Sequence, residues 1–378
     1  MTTTDIRFSR QREALANRLV AGLSASMDTL GVWLGLRLGL YAALARIGAA
    51  TADELAATAG IDARYAGEWL EQQAVAGVLI TDDAGRAADE RRYDLPAAHR
   101  EVLLDEVSPY FVAPATYALA GIARVLPELL AAYRSGAGVP FAAYGEEIRD
   151  HIEQLNRPMF VNDLATSWLP AIPELHDRLQ ADPPARVAEM ACGAGWASIT
   201  LATAYPKIRV DGFDLDPAFV ERATRNAAAA GVGDRVSFTV GHAADPKLVG
   251  EYQAVMVFEA MHDIARPVEA LMAARALLAD GGCLIIGDER VADVFTAPGD
   301  EVERLMYGFS ILHCLPASRT ESPSAATGTV LRPSTLSNWA NQAGFGQVDV
   351  LPIENEMWRF YRLATSSRCV AGRTPSTR

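Results

Sequence analysis

Seven residues from Glu189 to Gly195 combine an acid with a turn of small side chains. The acid ends an apolar β-run, and the turn leads into a helix that starts near Ala197. Small residues let the backbone approach a ligand closely, and the free amides at a helix start face outward. A dinucleotide-binding turn would need G-x-G-x-x-G, but this register gives Ala191, Gly193 and Trp196. The run therefore favours a ligand turn that does not serve hydride transfer.

A second acid lies at the end of the next β-run, 25 residues after Glu189, at Asp214. An acid in that position can accept hydrogen bonds from both hydroxyls of a ribose. Leu215 follows it, and we include it in the predicted ligand site. Asp216 precedes Pro217 and is more simply a helix N-cap.

Polar or small residues also follow the third and fourth β-runs. His242 and Ala243 come after the third run, and the segment from Phe258 to Asp263 ends the fourth. Because the carboxyl ends of parallel strands meet at one edge of a sheet, these residues should line one crevice.

His262 within that segment can act as a general base, since its ordinary pKa lies close to neutral pH. Glu259 and Asp263 are alternatives, either as the base or as the group that orients the imidazole. A purely structural role, in which His262 only ends the strand and caps the next turn, also fits the sequence.

The elements that must hold these residues are short β-runs alternating with helical segments, beginning near Asp182. The pattern predicts an α/β fold with an open, mostly parallel sheet of seven strands and an antiparallel last strand. The predicted strands cover residues 186–190, 209–213, 235–240, 254–258 and 283–287, followed by an antiparallel hairpin of 348–353 and 357–363.

The first half of the chain has a different organisation. Residues 1–26 form an amphipathic helix with Leu15, Leu19 and Leu23 on one face, which predicts packing on a second subunit. Three helices and a β-hairpin follow over 27–100, the order typical of a winged helix. Residues 101–181 are predicted to be a helical connector or substrate lid. The α/β part is predicted to span 182–364, and 365–378 to be a disordered tail.

Charge and composition restrict the partners. The 378-residue chain has 47 acidic and 34 basic residues, a net charge of -13, which disfavours nucleic acid. Residues 28–100 contain 7 arginines and 11 acidic residues, and the third helix has one arginine, Arg64, and two acids, Glu68 and Glu71. This segment is therefore acidic, which also disfavours DNA binding. The most apolar stretch contains Asp28 and Arg37, so we expect no membrane span.

Four widely spaced cysteines without a C-x-x-C pair, and no leader pattern, favour a cytoplasmic protein with no metal site.

Taken together, these motifs resemble the class I S-adenosylmethionine-dependent methyltransferases. The resemblance rests on Glu189 with its small-residue turn, on Asp214, and on Ala279-Asp280-Gly281-Gly282 before the fifth strand. The whole layout, with the stretches 138–141, 156–160 and 313–316, is similar to a bacterial group of winged-helix small-molecule O-methyltransferases. This implies a Rossmann-like methyltransferase sheet, preceded by a helical, winged-helix domain, and S-adenosylmethionine as the cofactor.

The resemblance also implies roles for individual residues. The glycine turn would hold the methionine part of the cofactor, Asp214 the ribose, and the turn after the third strand the adenine. The implied cofactor-binding residues are Glu189, Ala191, Gly193, Gly195, Asp214, Leu215, His242, Ala243 and Phe258.

Two positions depart from the family pattern. Ala191 stands where glycine is usual, and His242 stands where an aspartate commonly accepts the adenine amino group. A neutral imidazole nitrogen could accept that hydrogen bond instead.

The function implied is methyl transfer to a small-molecule acceptor, with an aromatic one favoured, most simply at oxygen. His262-Asp263 is similar to the His-Asp pair in which the histidine is the general base. The resemblance also implies a homodimer formed through the N-terminal helices. Two alternatives are a cofactor-binding enzyme with non-methylating chemistry and a winged-helix DNA-binding regulator that senses the cofactor.

Overall fold

The computed structural model describes residues 3–245 and 250–364. These residues form two compact units. One consists of Met1–Ala123 and Glu146–Pro158, and the other of Arg124–Gly145 and Met159–Arg378, within the described ranges. The residues of the helical connector or substrate lid predicted over 101–181 are divided between the two units. The tail predicted from 365 lies outside the described residues.

The α-helices are, in chain order, α1 (Thr3–Arg37), α2 (Leu40–Ile47), α3 (Ala52–Ala59), α4 (Ala63–Val75), α5 (Ala97–Leu104), α6 (Ala115–Arg124), α7 (Leu126–Ser135), α8 (Glu146–Met159), α9 (Pro173–Gln180), α10 (Trp196–Ala204), α11 (Pro217–Ala229), α12 (Pro267–Leu277), α13 (Glu301–Phe309), α14 (Leu315–Ser318) and α15 (Pro333–Gln342). The strands are β1 (Ile80–Thr81), β2 (Tyr93–Asp94), β3 (Arg186–Met190), β4 (Arg209–Asp214), β5 (Val236–Val240), β6 (Tyr252–Phe258), β7 (Leu278–Glu289), β8 (Gln347–Val350) and β9 (Trp358–Ala364).

The first unit begins with α1, which is one continuous helix of 35 residues. The predicted break at residue 26 is therefore wrong, since nothing in that sequence interrupts a helix. The break comes later, at Gly39, whose left-handed φ of 68° separates α1 from α2. By length and composition alone, the stretch Arg7–Arg37 of α1 could cross a membrane.

Helices α2 to α4 and the β1–β2 hairpin form the predicted winged helix. Thr51 and Glu54 form a capping box at the start of α3, and Asp62 caps α4. Strand β1 pairs antiparallel with β2. The core of this part includes Tyr41, Leu70 and Leu95, all fully buried.

The second unit contains a sheet of seven strands in the order β5-β4-β3-β6-β7-β9-β8. Strands β3 to β7 pair in parallel, whereas β9 runs antiparallel to both β7 and β8. The predicted fold class and hairpin are thus confirmed, with β9 placed between β7 and β8. The strand order reverses between β3 and β6, the position where open α/β sheets bind ligands.

Both faces of the sheet are buried, as the apolar β-runs require. Val187, Met256 and Ile285 point into one core, and Met190, Val257 and Ile286 into the other. The central strands are therefore held from both sides, which makes their carboxyl ends a rigid edge.

Candidate active site

The turn after β3 packs closely against the sheet at Gly195, whereas at Gly193 it faces open space. Gly195 precedes α10 with a φ of 82°, and a Cβ there would lie 2.5 Å from the ring of Phe238 on β5. Gly193 also has a positive φ, of 51°, but a Cβ there would meet open space. Sheet packing therefore requires a glycine at 195, whereas position 193 leaves room for a ligand against the backbone.

Ala191 adopts a φ of 56°, a region that residues with a Cβ rarely enter. The cost of this conformation is about 1 kcal/mol. The departure from glycine noted in the sequence therefore adds local strain at the start of the turn.

Glu189 lies beneath this turn and is almost fully buried. Its carboxylate accepts hydrogen bonds from the backbone N–H of Ser198, at 3.0 Å, and from the Ser198 hydroxyl. Burial raises the pKa of Glu189 to about 8. Glu189 thus connects β3 to the first turn of α10 through hydrogen bonds. This gives Glu189 a structural role in addition to its predicted contact with the cofactor.

Asp214 joins the end of β4 to the glycine turn. Its Oδ2 accepts from the N–H of Gly193 and its Oδ1 from the N–H of Asp216, each at 2.8 Å. Burial raises the pKa of Asp214 to about 6. The carboxylate has about four acceptor positions, so it can still accept from a ligand hydroxyl. Leu215 beside it is exposed.

His242 follows β5 and has no nitrogen left to accept an adenine amino group. Its Nδ1 accepts from the N–H of Ala244 at 2.9 Å, which places the ring proton on Nε2. That nitrogen lies 3.0 and 3.1 Å from the two carboxylate oxygens of Glu321, to which it donates. In this arrangement both imidazole nitrogens are engaged within the protein, and contact of His242 with adenine stays a prediction.

The two remaining predicted cofactor contacts pack within the protein. Ala243 packs against the core on one face of the sheet. Phe258 lies in the other core, with its ring centroid 5.5 Å from that of Phe160. Neither observation tests contact with a cofactor.

His262 is held by an acid from the neighbouring strand that sequence reasoning missed. Its Nδ1 lies 2.8 Å from Oδ1 of Asp288, and its backbone N–H donates to Oδ2 of the same residue. Asp288 and Glu289 lie at the carboxyl end of β7. The strand-end pattern that predicts site residues after β3 to β6 therefore applies to them as well. Glu259, just before His262, adopts a φ of 50°, a strain typical of functional sites.

The environment of His262 favours its protonated form. Burial lowers its pKa, but the negative charges of Asp288 and Asp263 outweigh burial and hold the pKa well above the ordinary value. The Nε2 atom lies 3.6 Å from Oδ1 of Asp263. Since Nδ1–H donates to Asp288, Nε2 is the atom that can exchange a proton.

Cys314 completes a cluster around Nε2. The ligand atoms of His262, Asp263 and Cys314 all lie within 4.8 Å of one another. Such a set could hold a soft divalent cation, but the cation would occupy the lone pair that a base requires. Cys314 was not visible as a partner in the sequence, because it comes from a π-helical turn, Ser310–Cys314, far along the chain.

Aromatic side chains adjoin this cluster. His313 packs edge to face on Tyr144, with ring centroids 4.7 Å apart, and lies 5.8 Å from Phe141. Burial lowers the pKa of His313. Its Nε2 is buried without a hydrogen-bond partner within the described ranges.

Comparisons with known proteins agree with this architecture. A methyltransferase domain model matches residues 187–282, and an Rv2258c-like winged HTH domain model matches residues 26–104. A curated trans-aconitate 2-methyltransferase from Streptomyces coelicolor is 37% identical over 73 residues, which cover 19% of this chain. The chain matches only 22% of the length of that relative.

Two solved structures resemble nearly the whole chain. The mitomycin 7-O-methyltransferase MmcR has a TM-score of 0.70 at 16% identity, covering 95% of this chain and 100% of its own. Human N-acetylserotonin methyltransferase, solved with S-adenosylmethionine, has a TM-score of 0.70 at 18% identity, covering 93% and 98%. At these identities the likeness establishes the fold.

The fold and the matched domains are those of class I S-adenosylmethionine-dependent methyltransferases with an N-terminal winged helix. The predicted family and cofactor are confirmed at this level. The open side of Gly193 and the remaining acceptor capacity of Asp214 fit that cofactor.

Proposed function

We propose that the protein transfers a methyl group from S-adenosylmethionine to an oxygen atom of a small-molecule acceptor. The observation that carries this proposal is the pairing of His262 with Asp288, at the sheet edge that also holds Asp214. A nucleotide-binding acid and an oriented histidine at one edge are the two groups that such a transfer needs.

The turn from Ala191 to Gly195 and the Asp214 carboxylate would hold the cofactor. The bound cofactor supplies a methyl group that is already activated on a sulfonium. The protein therefore contributes mainly alignment and removal of the acceptor's proton. Rigid strand ends suit alignment, because small displacements of the reacting atoms are costly in rate.

His262 is the proposed base, acting through Nε2. Asp288 fixes the Nδ1–H tautomer, so the lone pair on Nε2 is available once the ring is neutral. Asp263, 3.6 Å from Nε2, is the alternative acceptor of the proton. Glu259 remains a third candidate, at its strained position in the same turn.

An aromatic acceptor is favoured by the rings beside this cluster. His313 forms edge-to-face contacts with Tyr144 and Phe141, at centroid distances of 4.7 and 5.8 Å. Such rings offer faces and edges to a planar molecule, and offset or edge-to-face pairs contribute about 1 kcal/mol beyond area burial.

The test is product mass with a panel of phenols and carboxylic acids. Purified protein is incubated with methyl-labelled S-adenosylmethionine, and products are analysed by mass spectrometry. Labelled methyl on an acceptor oxygen together with S-adenosylhomocysteine supports the proposal. Turnover of an acceptor without either product would indicate non-methylating chemistry, and a labelled carbon or nitrogen would reject oxygen as the site.

We also propose a homodimer formed through α1. Its face carries Leu15, Leu19 and Leu23, which are 49%, 65% and 59% exposed. Leu19→Glu with Leu23→Glu should shift the mass measured by light scattering from dimer to monomer. Asn17→Glu, on the opposite side of α1, is the matched control and should leave the dimer intact. A monomeric wild-type protein would contradict the proposal.

The winged helix is proposed to bind neither nucleic acid nor membrane, in a cytoplasmic protein. Its arginines are engaged by acids: Arg64 pairs with Glu68, and Arg91 lies 2.8 Å from Glu71. Phosphate binding would have to break such pairs. Salt-sensitive binding of a DNA duplex at nanomolar protein in a gel shift would reject this assignment.

A further inference from the structure

We propose that Glu321 recognises the 6-amino group of the cofactor's adenine. The inference rests on the proposed use of S-adenosylmethionine and assigns a residue outside the strand-end turns. The juxtaposition that carries it is the contact of the Glu321 carboxylate with His242, at 3.0 and 3.1 Å.

Sheet order places the adenine near His242. The strands run β5-β4-β3, with the glycine turn after β3 and Asp214 at the end of β4. A nucleoside whose ribose lies on Asp214 and whose sulfur side lies over the glycine turn must extend toward the end of β5. The ends of β4 and β5 are adjacent, since the N–H of Gly241 donates to the carbonyl of Asp214 at 2.9 Å.

The chemistry at this edge requires an acceptor that His242 does not supply. The 6-amino group of adenine is a hydrogen-bond donor. Nδ1 of His242 already accepts from Ala244, and Nε2–H is itself a donor. The Glu321 carboxylate has about four acceptor positions, and its side chain is 34% exposed, so it can accept from both the imidazole and the amine.

The segment that carries Glu321 is fixed at both ends. On one side the guanidinium of Arg319 donates to the carbonyl of Gly136 at 2.6 and 2.9 Å. On the other side the N–H of Ala325 donates to the carbonyl of Ala265 at 2.7 Å. Arg266, the next residue, lies 3.6 Å from the Glu321 carboxylate through its Nε.

These contacts hold Glu321 in place before the cofactor binds. Arg266 and His242 present positive or donor groups to the carboxylate and keep it oriented. A preorganised acceptor of this kind discriminates strongly against a ligand that lacks the matching donor.

The test compares two ligands by isothermal titration calorimetry. S-adenosylhomocysteine carries the amino group, and S-inosylhomocysteine has a carbonyl oxygen in its place. Wild-type protein should prefer the adenosyl ligand at least ~10-fold. Glu321→Ala should reduce that preference to ~3-fold or less, by weakening the adenosyl ligand while the inosyl ligand changes little.

Two further variants sharpen the comparison. Ser322→Ala, at the exposed neighbouring position, is the matched control and should keep the full preference. Glu321→Gln should fall between the wild type and Glu321→Ala, because its amide oxygen can accept while its amide nitrogen can donate to the inosyl carbonyl. Thermal unfolding of each variant should match the wild type.

The outcomes separate this inference from the proposed function. An unchanged preference in Glu321→Ala, or equal weakening of both ligands, would overturn the assignment while leaving the cofactor in place. Failure of the wild-type protein to bind S-adenosylhomocysteine would overturn the proposed function and this inference together.

Discussion

Oδ1 of Asp288 lies 2.8 Å from Nδ1 of His262, and the two side chains are only 1% and 3% exposed. Two adjacent strands, β7 and β6, bring them together across the sheet edge. The contact fixes which nitrogen carries the proton and adds a negative charge beside the imidazole. Both consequences can be measured.

Removing the imidazole should reduce turnover without removing cofactor binding. His262→Ala is expected to lower kcat ~10²- to 10⁴-fold, the range for loss of a positioned base. Affinity for S-adenosylhomocysteine should change little, because Asp214 and the glycine turn are intact. His176→Ala is the control, since His176 contacts Tyr205 outside this cluster. Equal kcat in His262→Ala and wild type would show that alignment alone suffices.

The pH dependence of turnover should report the charge of Asp288. A base must be neutral, and the acids hold the pKa of His262 above its ordinary value of 6.5. Wild-type kcat/KM should therefore rise with pH and level off only above that value. In Asp288→Asn one negative charge beside the imidazole is lost, so the rising part of the kcat/KM profile should move to lower pH. The value of kcat should fall in the same variant. If the rising part of the profile stays at the same pH in Asp288→Asn, the titrating group is the acceptor or a residue other than His262.

Cofactor affinity should fall in acid because of Asp214. Its carboxylate must be ionised to accept from both ribose hydroxyls, and its pKa is raised to about 6. Affinity for S-adenosylhomocysteine should thus be lower below that pH than at neutrality. Asp214→Asn should weaken binding ~10- to 100-fold and flatten the pH dependence.

Asp216→Asn supplies the control for this measurement. Asp216 accepts from the N–H of Ala218 as the cap of α11, and asparagine caps nearly as well. Titration calorimetry should still show the fall in affinity in acid, with its midpoint at lower pH because the charge of Asp216 helps to raise the pKa of Asp214. A pH slope that persists in Asp214→Asn would point to another titrating group.

Stability should fall with rising pH because of Glu189. Its pKa is raised from 4.5 to about 8 by burial, so the folded state binds the extra proton. The stabilisation is complete below the unfolded value and is lost as pH rises toward the folded value. Glu189→Gln keeps an acceptor for Ser198 without the titration, and should exceed wild-type stability at alkaline pH by on the order of 2 kcal/mol.

Urea unfolding at mildly acidic and alkaline pH measures this difference. Glu128→Gln, an exposed acid on α7, is the matched control and should follow the wild type. Parallel wild-type and Glu189→Gln curves over the whole range would contradict the assignment of the slope to Glu189.

A soft divalent cation should inhibit turnover, and a chelator should leave turnover unchanged. Zn²⁺ bound by His262, Asp263 and Cys314 would occupy the lone pair of Nε2. Turnover should be unchanged by EDTA and reduced by added Zn²⁺, with Cys314→Ser weakening the inhibition ~10-fold. Loss of turnover in EDTA, restored by a metal ion, would instead make the cation part of the active enzyme.

The residues at the carboxyl edge of the sheet could be predicted because short stretches of sequence specify them. Apolar runs of four to seven residues, small residues with free φ and acids at strand ends specify β3 to β7 without knowledge of the fold. The capping box at Thr51 and the cap at Asp62 follow from the same short-range hydrogen bonding. The end of α1 was placed incorrectly, because periodicity marks the face of a helix better than its ends.

The sequence by itself therefore determined the parallel sheet, the turn at Gly193 and the acid at Asp214. Only the tertiary structure decided that Asp288 orients His262, that Cys314 adjoins it, and that Glu321 engages His242. These pairs are 26, 52 and 79 residues apart. Backbone conformation follows from neighbours along the chain, whereas side-chain partners depend on how strands and loops pack in space.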